Sequence, residues 1–243
     1  MTGEHRAPIP AELRYRAMRM GRPPEQKTRY RPATWARALE RSPVVGALLW
    51  TPGLTEPVAA RPADRTVTRH ALQAHLAAVD LADWQTMLAS FVLVAVWGSG
   101  TTNSRSLRYI PIALADPLRA AHQLTTAVET MRRDDLVGAY RQFQLPGIGQ
   151  SYLTRWLALA GRRGSRAWQP LILDARVNTG LTALGVPVAR LMAGRRSRAQ
   201  RYAAYVDTLH RWADDVRQDN PACQPETLEW LLSRYGRESR PTS

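Results

Sequence analysis

A proline followed by two glycines separates two apolar runs in the stretch QFQLPGIGQSYLTRWLALAG, residues 142 to 161. The spacing predicts a helix that ends near Phe143, a tight turn at Pro146-Gly147-Ile148-Gly149, and a second helix from Gln150. Glycine in such a turn permits positive φ values and lets an anion approach backbone N–H groups without a Cβ in the way. The turn and the start of the second helix are therefore a candidate phosphate site. An ordinary turn between two helices is the alternative.

The charge of the chain points to a polyanionic partner. The 243 residues carry a formal net charge of +14, and Lys27 is the only lysine, so nearly all positive charge is on arginine. The planar guanidinium of arginine donates two hydrogen bonds to one phosphate. A GC-rich genome explains the choice of arginine over lysine, but it does not explain the excess of positive charge. We therefore expect nucleic acid as the partner.

The sequence offers little for metal, disulfide or membrane chemistry. The single cysteine, Cys223, excludes an internal disulfide framework and a cysteine-rich metal site. We therefore expect no metal and no cofactor. No apolar run approaches the roughly 18 residues of a membrane span, and the first residues lack the apolar centre of a secretory signal. The expectation is a cytoplasmic protein that does not bind membranes.

Apolar residues at helical spacing dominate from residue 36 onward, and no alternating run of useful length occurs. The fold class predicted is mainly α. The run ending in SFVLVAVW predicts a central buried helix that is stopped by Gly98 and Gly100. Asp116 with Pro117 predicts a helix start. Residues 1–35 are rich in Arg and Pro with little periodicity, which predicts a flexible basic arm. Residues 36–243 are predicted to form one helical domain.

The LPGIG turn with a helix on each side resembles the helix-hairpin-helix motif of DNA-binding proteins. The segments VWGSGTTNSRS, GIGQSYLTRWLALAG, LILDARV and PETLEWLLSRYG are similar to the OGG-fold group of the 8-oxoguanine DNA glycosylases. The resemblance covers roughly residues 70 to 236 and none of the first 60. It implies a multi-helix, helix-hairpin-helix DNA glycosylase-like fold. It also implies a monomeric base-excision repair enzyme that binds double-stranded DNA, extrudes one damaged, 8-oxoguanine-like base and hydrolyses its N-glycosidic bond.

The resemblance assigns a catalytic aspartate but no catalytic lysine. In these glycosylases an aspartate opens the helix that follows the hairpin, and Asp174 in LILDARV stands in that place. It would stabilise the positive charge that develops on the sugar and activate water, or it would only cap the helix. Bifunctional members attack the sugar with a lysine, where this chain has Ser151 or Arg155. Because arginine stays protonated, we expect a monofunctional glycosylase. Lys27, which lies outside the similar region, is the alternative candidate for a substitute lysine.

The remaining candidate site residues fall into two groups. The predicted nucleic-acid contacts are Pro146, Gly147, Ile148, Gly149, Gln150, Ser151 and Arg155. The predicted base-pocket or intercalating residues are Trp97, Asn103, Arg105 and Arg108. Trp97 is alternatively a core residue, and the other three are alternatively solvated residues of a loop.

Two other function classes stay open. One is a DNA- or RNA-binding helix-hairpin-helix protein that has lost catalysis. The other is a helical adaptor for protein interactions, in which the charge reflects genome composition alone.

Overall fold

Helices make up most of the chain, so the prediction of a mainly α fold is confirmed. The computed structural model describes residues 7–41, 43–99, 104–164, 168–191 and 194–239. Its contacts divide the chain into two units. We call Glu25–Ser165 the central unit, and Met1–Pro24 together with Arg166–Ser243 the terminal unit.

The elements of the first half of the chain are α1 (Ala11–Arg19), β1 (Lys27–Tyr30), α2 (Pro32–Ala38), a 3-10 helix (Pro43–Trp50), β2 (Thr55–Val58), β3 (Arg61–Thr68), α3 (Arg69–Ala78), α4 (Trp84–Ser99) and α5 (Ser104–Ala113). The second half contains α6 (Pro117–Arg132), α7 (Leu136–Gln142), α8 (Gln150–Ala160), α9 (Ala175–Ala183), α10 (Val188–Leu191), α11 (Arg198–Arg217) and α12 (Pro225–Glu238).

Helix α4 forms the middle of the core of the central unit. Every residue from Met87 to Trp97 is buried, as expected for a helix that is apolar on all sides. Helices α6 and α8, strand β1 and the 3-10 helix pack against it. The ring of Phe91 lies 5.9 Å from that of Phe143 and meets the ring of Trp156 edge-on at 5.6 Å. The prediction of a central buried helix is confirmed.

The central unit also contains a small antiparallel sheet with the strand order β1-β3-β2. Lys27 pairs with Thr68, and the fully buried Tyr30 donates its hydroxyl hydrogen to the carbonyl oxygen of Leu49 at 2.7 Å. No strand is predicted from the sequence. The segment RPADRTVT of β3 is short of large apolar residues, so pairing with two neighbouring strands, rather than a period of two, identifies it.

The prediction of a flexible arm over residues 1–35 is wrong for the part that the structure describes, residues 7–35. Leu13 and Ala17, one turn apart on α1, are fully buried, and α1 packs against α11 and α12 in the terminal unit. The indole N–H of Trp212 donates to the carbonyl oxygen of Ala7 at 3.0 Å. The average composition of the segment hides this short apolar stripe. Residues 7–24 group with the terminal unit, and the residues from Glu25 onward begin the central unit, so a boundary at residue 35 is also not observed.

Two glycines bring the backbones of α9 and α12 together in the terminal unit. A Cβ on Gly180 would overlap the carbonyl oxygen of Leu232, and one on Gly236 would overlap the carbonyl oxygen of Arg176. The two helices therefore contact each other through backbone atoms at two points. Large side chains at either glycine would force the helices apart.

Candidate functional site

The predicted hairpin joins α7 and α8 in the central unit. The N–H of Ile148 donates to the carbonyl oxygen of Leu145 at 3.2 Å and closes the turn. Leu145 and Leu153 are buried on either side of the turn, while Ile148 is half-buried. Apolar packing below the turn therefore leaves its backbone at the surface, where Pro146 and both glycines are exposed.

The two hairpin glycines differ in conformation. Gly147 has a φ of +72°, and a Cβ there would lie 3.0 Å from Cδ1 of Tyr109. Gly149 has a φ of −89° and a ψ of 177°, and no atom lies within 4 Å of where its Cβ would be. The expectation of positive φ is therefore met at Gly147 and wrong at Gly149. Gly149 is the N-cap of α8, a position with extended backbone.

The hairpin presents backbone donors at its exposed surface. In the part of the chain that the structure describes, the N–H groups of Gly147, Gly149 and Ser151 donate no hydrogen bond. The last two stand at the start of α8, where the helix dipole also favours negative charge. Together the three amides have the chemistry of an anion site.

Three hydroxyl groups that are not among the predicted site residues form a cluster at the first turn of α8. Ser99 Oγ donates to the carbonyl oxygen of Ala95 and is 2.6 Å from Ser106 Oγ and 3.1 Å from the Tyr152 hydroxyl. Ser106, which is fully buried, also bonds to Tyr152. The cluster ties the first turn of α8 to α4 and α5. Serines spread over separate helices give no pattern by which a sequence could reveal it.

Arg155, one turn after Ser151, lies against the end of α4. Its Cδ is 2.7 Å from the place where a Cβ on Gly98 would be, and its guanidinium carbon is 5.7 Å from the centre of the Tyr152 ring. The carbonyl dipoles at the end of a helix favour a cation in this position. The half-buried Arg155 is thus part of the packing beside the hairpin.

The structure places Trp97 in the core, the alternative named for it above. Trp97 is 7% exposed, and its indole N–H donates to the carbonyl oxygen of Gln26 at 2.9 Å. The hydroxyl of Thr28 donates to the carbonyl oxygen of Trp97 at 2.8 Å. Both the indole N–H and the carbonyl oxygen of Trp97 are therefore hydrogen-bonded within the fold, and we assign Trp97 a structural role and not a base pocket.

Arg105 and Arg108 lie on α5, not in the predicted loop. Both are exposed. The guanidinium carbon of Arg108 is 5.7 Å from the ring centre of Tyr109, the residue that packs against Gly147. Tyr109 therefore brings α5 into contact with the hairpin, and the guanidinium of Arg108 lies beside this tyrosine. Asn103 lies outside the described residues.

Asp174 is the N-cap of α9 in the terminal unit, as predicted. Its Oδ1 accepts the N–H groups of Arg176 at 3.0 Å and Val177 at 3.1 Å. The side chain is half-buried. One turn later, Oδ1 of Asn178 is buried and has no hydrogen-bond partner among the described residues.

Buried polar side chains hold the segment that leads into Asp174. The N–H of Ile172 donates to Oε2 of Glu229 at 2.7 Å. The hydroxyls of Tyr202 and Tyr205 donate to the carbonyl oxygens of Leu171 at 2.7 Å and Ile172 at 2.9 Å. None of these three side chains is among the residues predicted from the sequence. The one available signal was a glutamate on the apolar face of PETLEWLL, beside Leu228 and Leu232.

The structure thus places the hairpin, Arg155 and Arg108 together in the central unit, and Asp174 in the terminal unit. Among the described residues, no group of three or more His, Cys, Asp or Glu side chains could hold a metal ion. None of the helices in the described ranges is long and apolar enough to cross a membrane.

Comparison with known proteins identifies the family. A family model described as "Putative 8-oxoguanine DNA glycosylase OGG-like protein" matches residues 21–233. The match begins well upstream of residue 70, so the resemblance noted above underestimated its extent. No curated protein and no solved structure matches the chain. Since the matched residues span most of the chain, it belongs to the OGG-like family that this description names.

Proposed function

We propose that this chain is a monofunctional DNA glycosylase that removes an oxidised purine of the 8-oxoguanine type by hydrolysis. The observation that carries the proposal is the carboxylate of Asp174, held at the start of α9 in a chain of a DNA glycosylase family. DNA is the substrate that this family implies.

Asp174 has the chemistry that hydrolysis of the N-glycosidic bond needs. As the bond breaks, positive charge develops on the sugar, and a fixed carboxylate stabilises that charge. Water then bonds to the anomeric carbon and gives up a proton, for which a carboxylate is the acceptor. The base leaves with its bonding electron pair and takes up one proton, which is balanced by the proton that water gives to the carboxylate. The products are the free base and an intact strand with an abasic sugar.

We expect no strand cleavage, because the hairpin region lacks an amine that could attack the sugar. Ser151 and Arg155 occupy the places at which bifunctional relatives carry lysine, and arginine does not lose its proton in proteins. Lys27, the only lysine, lies on β1. Its neighbours Gln26 and Thr28 both bond to Trp97, so β1 runs beside the end of α4.

The hairpin is proposed to bind the DNA backbone. The amides of Gly147, Gly149 and Ser151, which donate no hydrogen bond among the described residues, are suited to one phosphate. The fold itself does not need glycine at position 149. Open space at that Cβ suits the approach of a phosphate. Such contacts hold any sequence equally, and extrusion of the damaged base would supply the selectivity.

The catalytic role of Asp174 is tested with Asp174→Asn. Asparagine caps a helix about as well as aspartate, so the variant should fold normally. We expect loss of base release from an 8-oxoguanine duplex, with affinity for that duplex nearly unchanged. Asp116→Asn, which alters the N-cap of α6 in the same way, is the matched control and should keep full activity. Equal base release by Asp174→Asn and wild type would refute the assignment.

Borohydride trapping separates hydrolysis from the lyase mechanism. We expect free base but no covalent protein–DNA adduct from the native chain. An adduct that disappears in Lys27→Arg would replace the monofunctional assignment with one based on Lys27. Tight binding without base release from any lesion in a panel would instead indicate a relative that binds DNA without catalysis.

A further inference from the structure

Three buried polar side chains act on two consecutive residues just before Asp174. We infer that Glu229, Tyr202 and Tyr205 are positioning residues for Asp174, an inference that rests on the proposed role of Asp174 in hydrolysis. We call these three side chains the 171–172 clamp. All belong to the terminal unit.

Glu229 is the least expected member of the clamp. It is 3% exposed, and its carboxylate accepts the N–H of Ile172 at 2.7 Å. Removing a carboxylate from water is costly, and well-packed apolar residues at such positions often give equal or greater stability. Stability alone therefore does not account for a buried carboxylate on the apolar face of α12. A requirement for a fixed backbone at Ile172 does.

The tyrosines complete the clamp from α11. Tyr202 and Tyr205 are almost fully buried, and their hydroxyls donate to the carbonyl oxygens of Leu171 and Ile172. Ile172 is thus held at both its N–H and its carbonyl oxygen. Asp174 follows only two residues later, and its own Oδ1 is held by the first amides of α9. The backbone is consequently fixed on both sides of the carboxylate.

The contact between α9 and α12 connects the clamp to the helix that Asp174 caps. Gly180 and Gly236 let the two helices meet through their backbones. Glu229 is carried by α12, and Asp174 caps α9. A fixed distance between these helices therefore keeps the clamp in register with the carboxylate. Misplacement of a catalytic group by about 1 Å can cost on the order of 100-fold in rate.

The inference is tested with Tyr205→Phe, Glu229→Gln and Glu229→Met in the full chain. Tyr205→Phe removes one hydroxyl, Glu229→Gln keeps an acceptor for Ile172, and Glu229→Met removes it at similar volume. Tyr235→Phe is the matched control, because the hydroxyl of this buried tyrosine bonds to Glu12 instead of to the clamped segment. Single-turnover base release, duplex affinity, thermal unfolding and amide hydrogen exchange at Ile172 are measured for each.

We expect Tyr205→Phe to slow base release about tenfold and Glu229→Met about 100-fold, with affinity unchanged within about twofold. Glu229→Gln should recover most of the rate, and Ile172 should exchange faster in Glu229→Met. Tyr235→Phe should match wild type in rate. A merely structural role predicts instead that rate loss follows the loss of thermal stability in every variant, including the control.

The outcomes distinguish this inference from the proposed function. If wild type releases base and Asp174→Asn does not, but the clamp variants are as fast as wild type, the positioning role is refuted and the proposed function stands. If Glu229→Met leaves exchange at Ile172 unchanged, the clamp itself is refuted. If wild type releases no base from any lesion, the proposed function and the positioning role fail together.

Discussion

The fold would accept a side chain at position 149, yet the residue there is glycine. Its backbone is extended, and the space around its Cβ position is open. Gly147, two residues earlier, has a positive φ and packs against Tyr109. The same residue type therefore has two explanations within one turn. At position 147 glycine serves the fold, and at position 149 we attribute it to a ligand.

This difference predicts opposite results for two alanine variants. Gly149→Ala should unfold at the wild-type temperature but bind duplex DNA about tenfold more weakly, because a methyl group would stand between a phosphate and a charge-assisted amide contact. Gly147→Ala should lose about 1 to 2 kcal/mol of stability from its left-handed backbone alone. Thermal unfolding and salt-matched binding assays check both. Unchanged affinity in Gly149→Ala would remove the argument for a phosphate at this amide.

The sequence predicted the turn correctly, but the same conformational reason was inferred for both of its glycines. A G-x-G pattern shows where the chain turns, whereas the φ of each glycine depends on what packs around it. Tyr109, which fills the space beside Gly147, comes from α5 and has no fixed sequence spacing to the hairpin. Asp174, by contrast, was placed correctly as an N-cap, because capping is decided by the next few residues.

His75 predicts how the stability of the chain depends on pH. Its Nε2 is 2.8 Å from Ser90 Oγ, which itself donates to the carbonyl oxygen of Thr86, so neutral His75 must donate to Ser90. Burial lowers the pKa of His75 from its ordinary value of 6.5. The unfolded chain therefore takes up a proton more readily, and the stability from neutral His75 is present above pH 6.5 and lost as the pH falls through and below it.

The test compares thermal unfolding of wild type and His75→Gln between neutral and mildly acidic pH. Glutamine can donate to Ser90 without titrating, so the variant should lose less stability on acidification. Burial also lowers the pKa of His210, so His75→Gln/His210→Gln should be flatter still. A His75→Gln profile as steep as that of wild type would contradict the explanation.

At the scale of elements, the helices were predictable where their signals are local. Asp116 with Pro117 starts α6 as predicted, and the continuous apolar run forms the buried α4. The sheet and α1 were not predictable in this way. Strands β1, β2 and β3 are identified by pairing, and α1 shows only Leu13 and Ala17 as a short apolar face, within an otherwise basic segment.

The contact between α9 and α12 predicts that Gly180→Ala is strongly destabilising. The added methyl group would overlap the carbonyl oxygen of Leu232, and backbone cannot move aside as a flexible side chain can. Overpacking of this kind costs about 1 to 3 kcal/mol, which outweighs the gain of about 1 kcal/mol that alanine normally brings to a helix. Gly21→Ala, at an open position in the same unit, is the control and should leave the thermal midpoint unchanged. Greater stability in Gly180→Ala would show that the helices can separate without loss.

At the scale of the whole molecule, the terminal unit depends on contacts that sequence patterns do not predict. It is built from both ends of the chain, so its contacts join residues about 200 positions apart. Arg14 pairs with Asp219 at 2.8 Å, and Asn220 donates to the carbonyl oxygens of Ala17 and Met20. No local sequence pattern predicts such long-range pairs. The clamp around Asp174 depends on the same kind of distant contact, which is why the sequence predicted the aspartate and not its supports.

Part of the net charge of +14 lies on arginines at the start of α11. Arg196 precedes the N-cap Ser197, and Arg198 follows it. A helix dipole disfavours cations at this end by about 0.3 to 1 kcal/mol each, so these exposed residues weaken the helix unless an anion binds there. We expect a DNA phosphate to be that anion.

DNA affinity should accordingly fall steeply between about 50 and 200 mM salt, with a slope of log K against log salt near −0.9 per phosphate contacted. The double variant Arg196→Gln/Arg198→Gln should make this slope shallower by up to about 1.8 units and weaken binding to every sequence alike. It should also unfold at the same or a slightly higher temperature, since two unfavourable charges leave the helix start. Arg14→Gln is the matched control, because that exposed arginine already pairs with Asp219, and its slope should equal that of wild type. If the double variant keeps the wild-type slope, these arginines do not contact DNA, and the loop before α11 has no part in the interface.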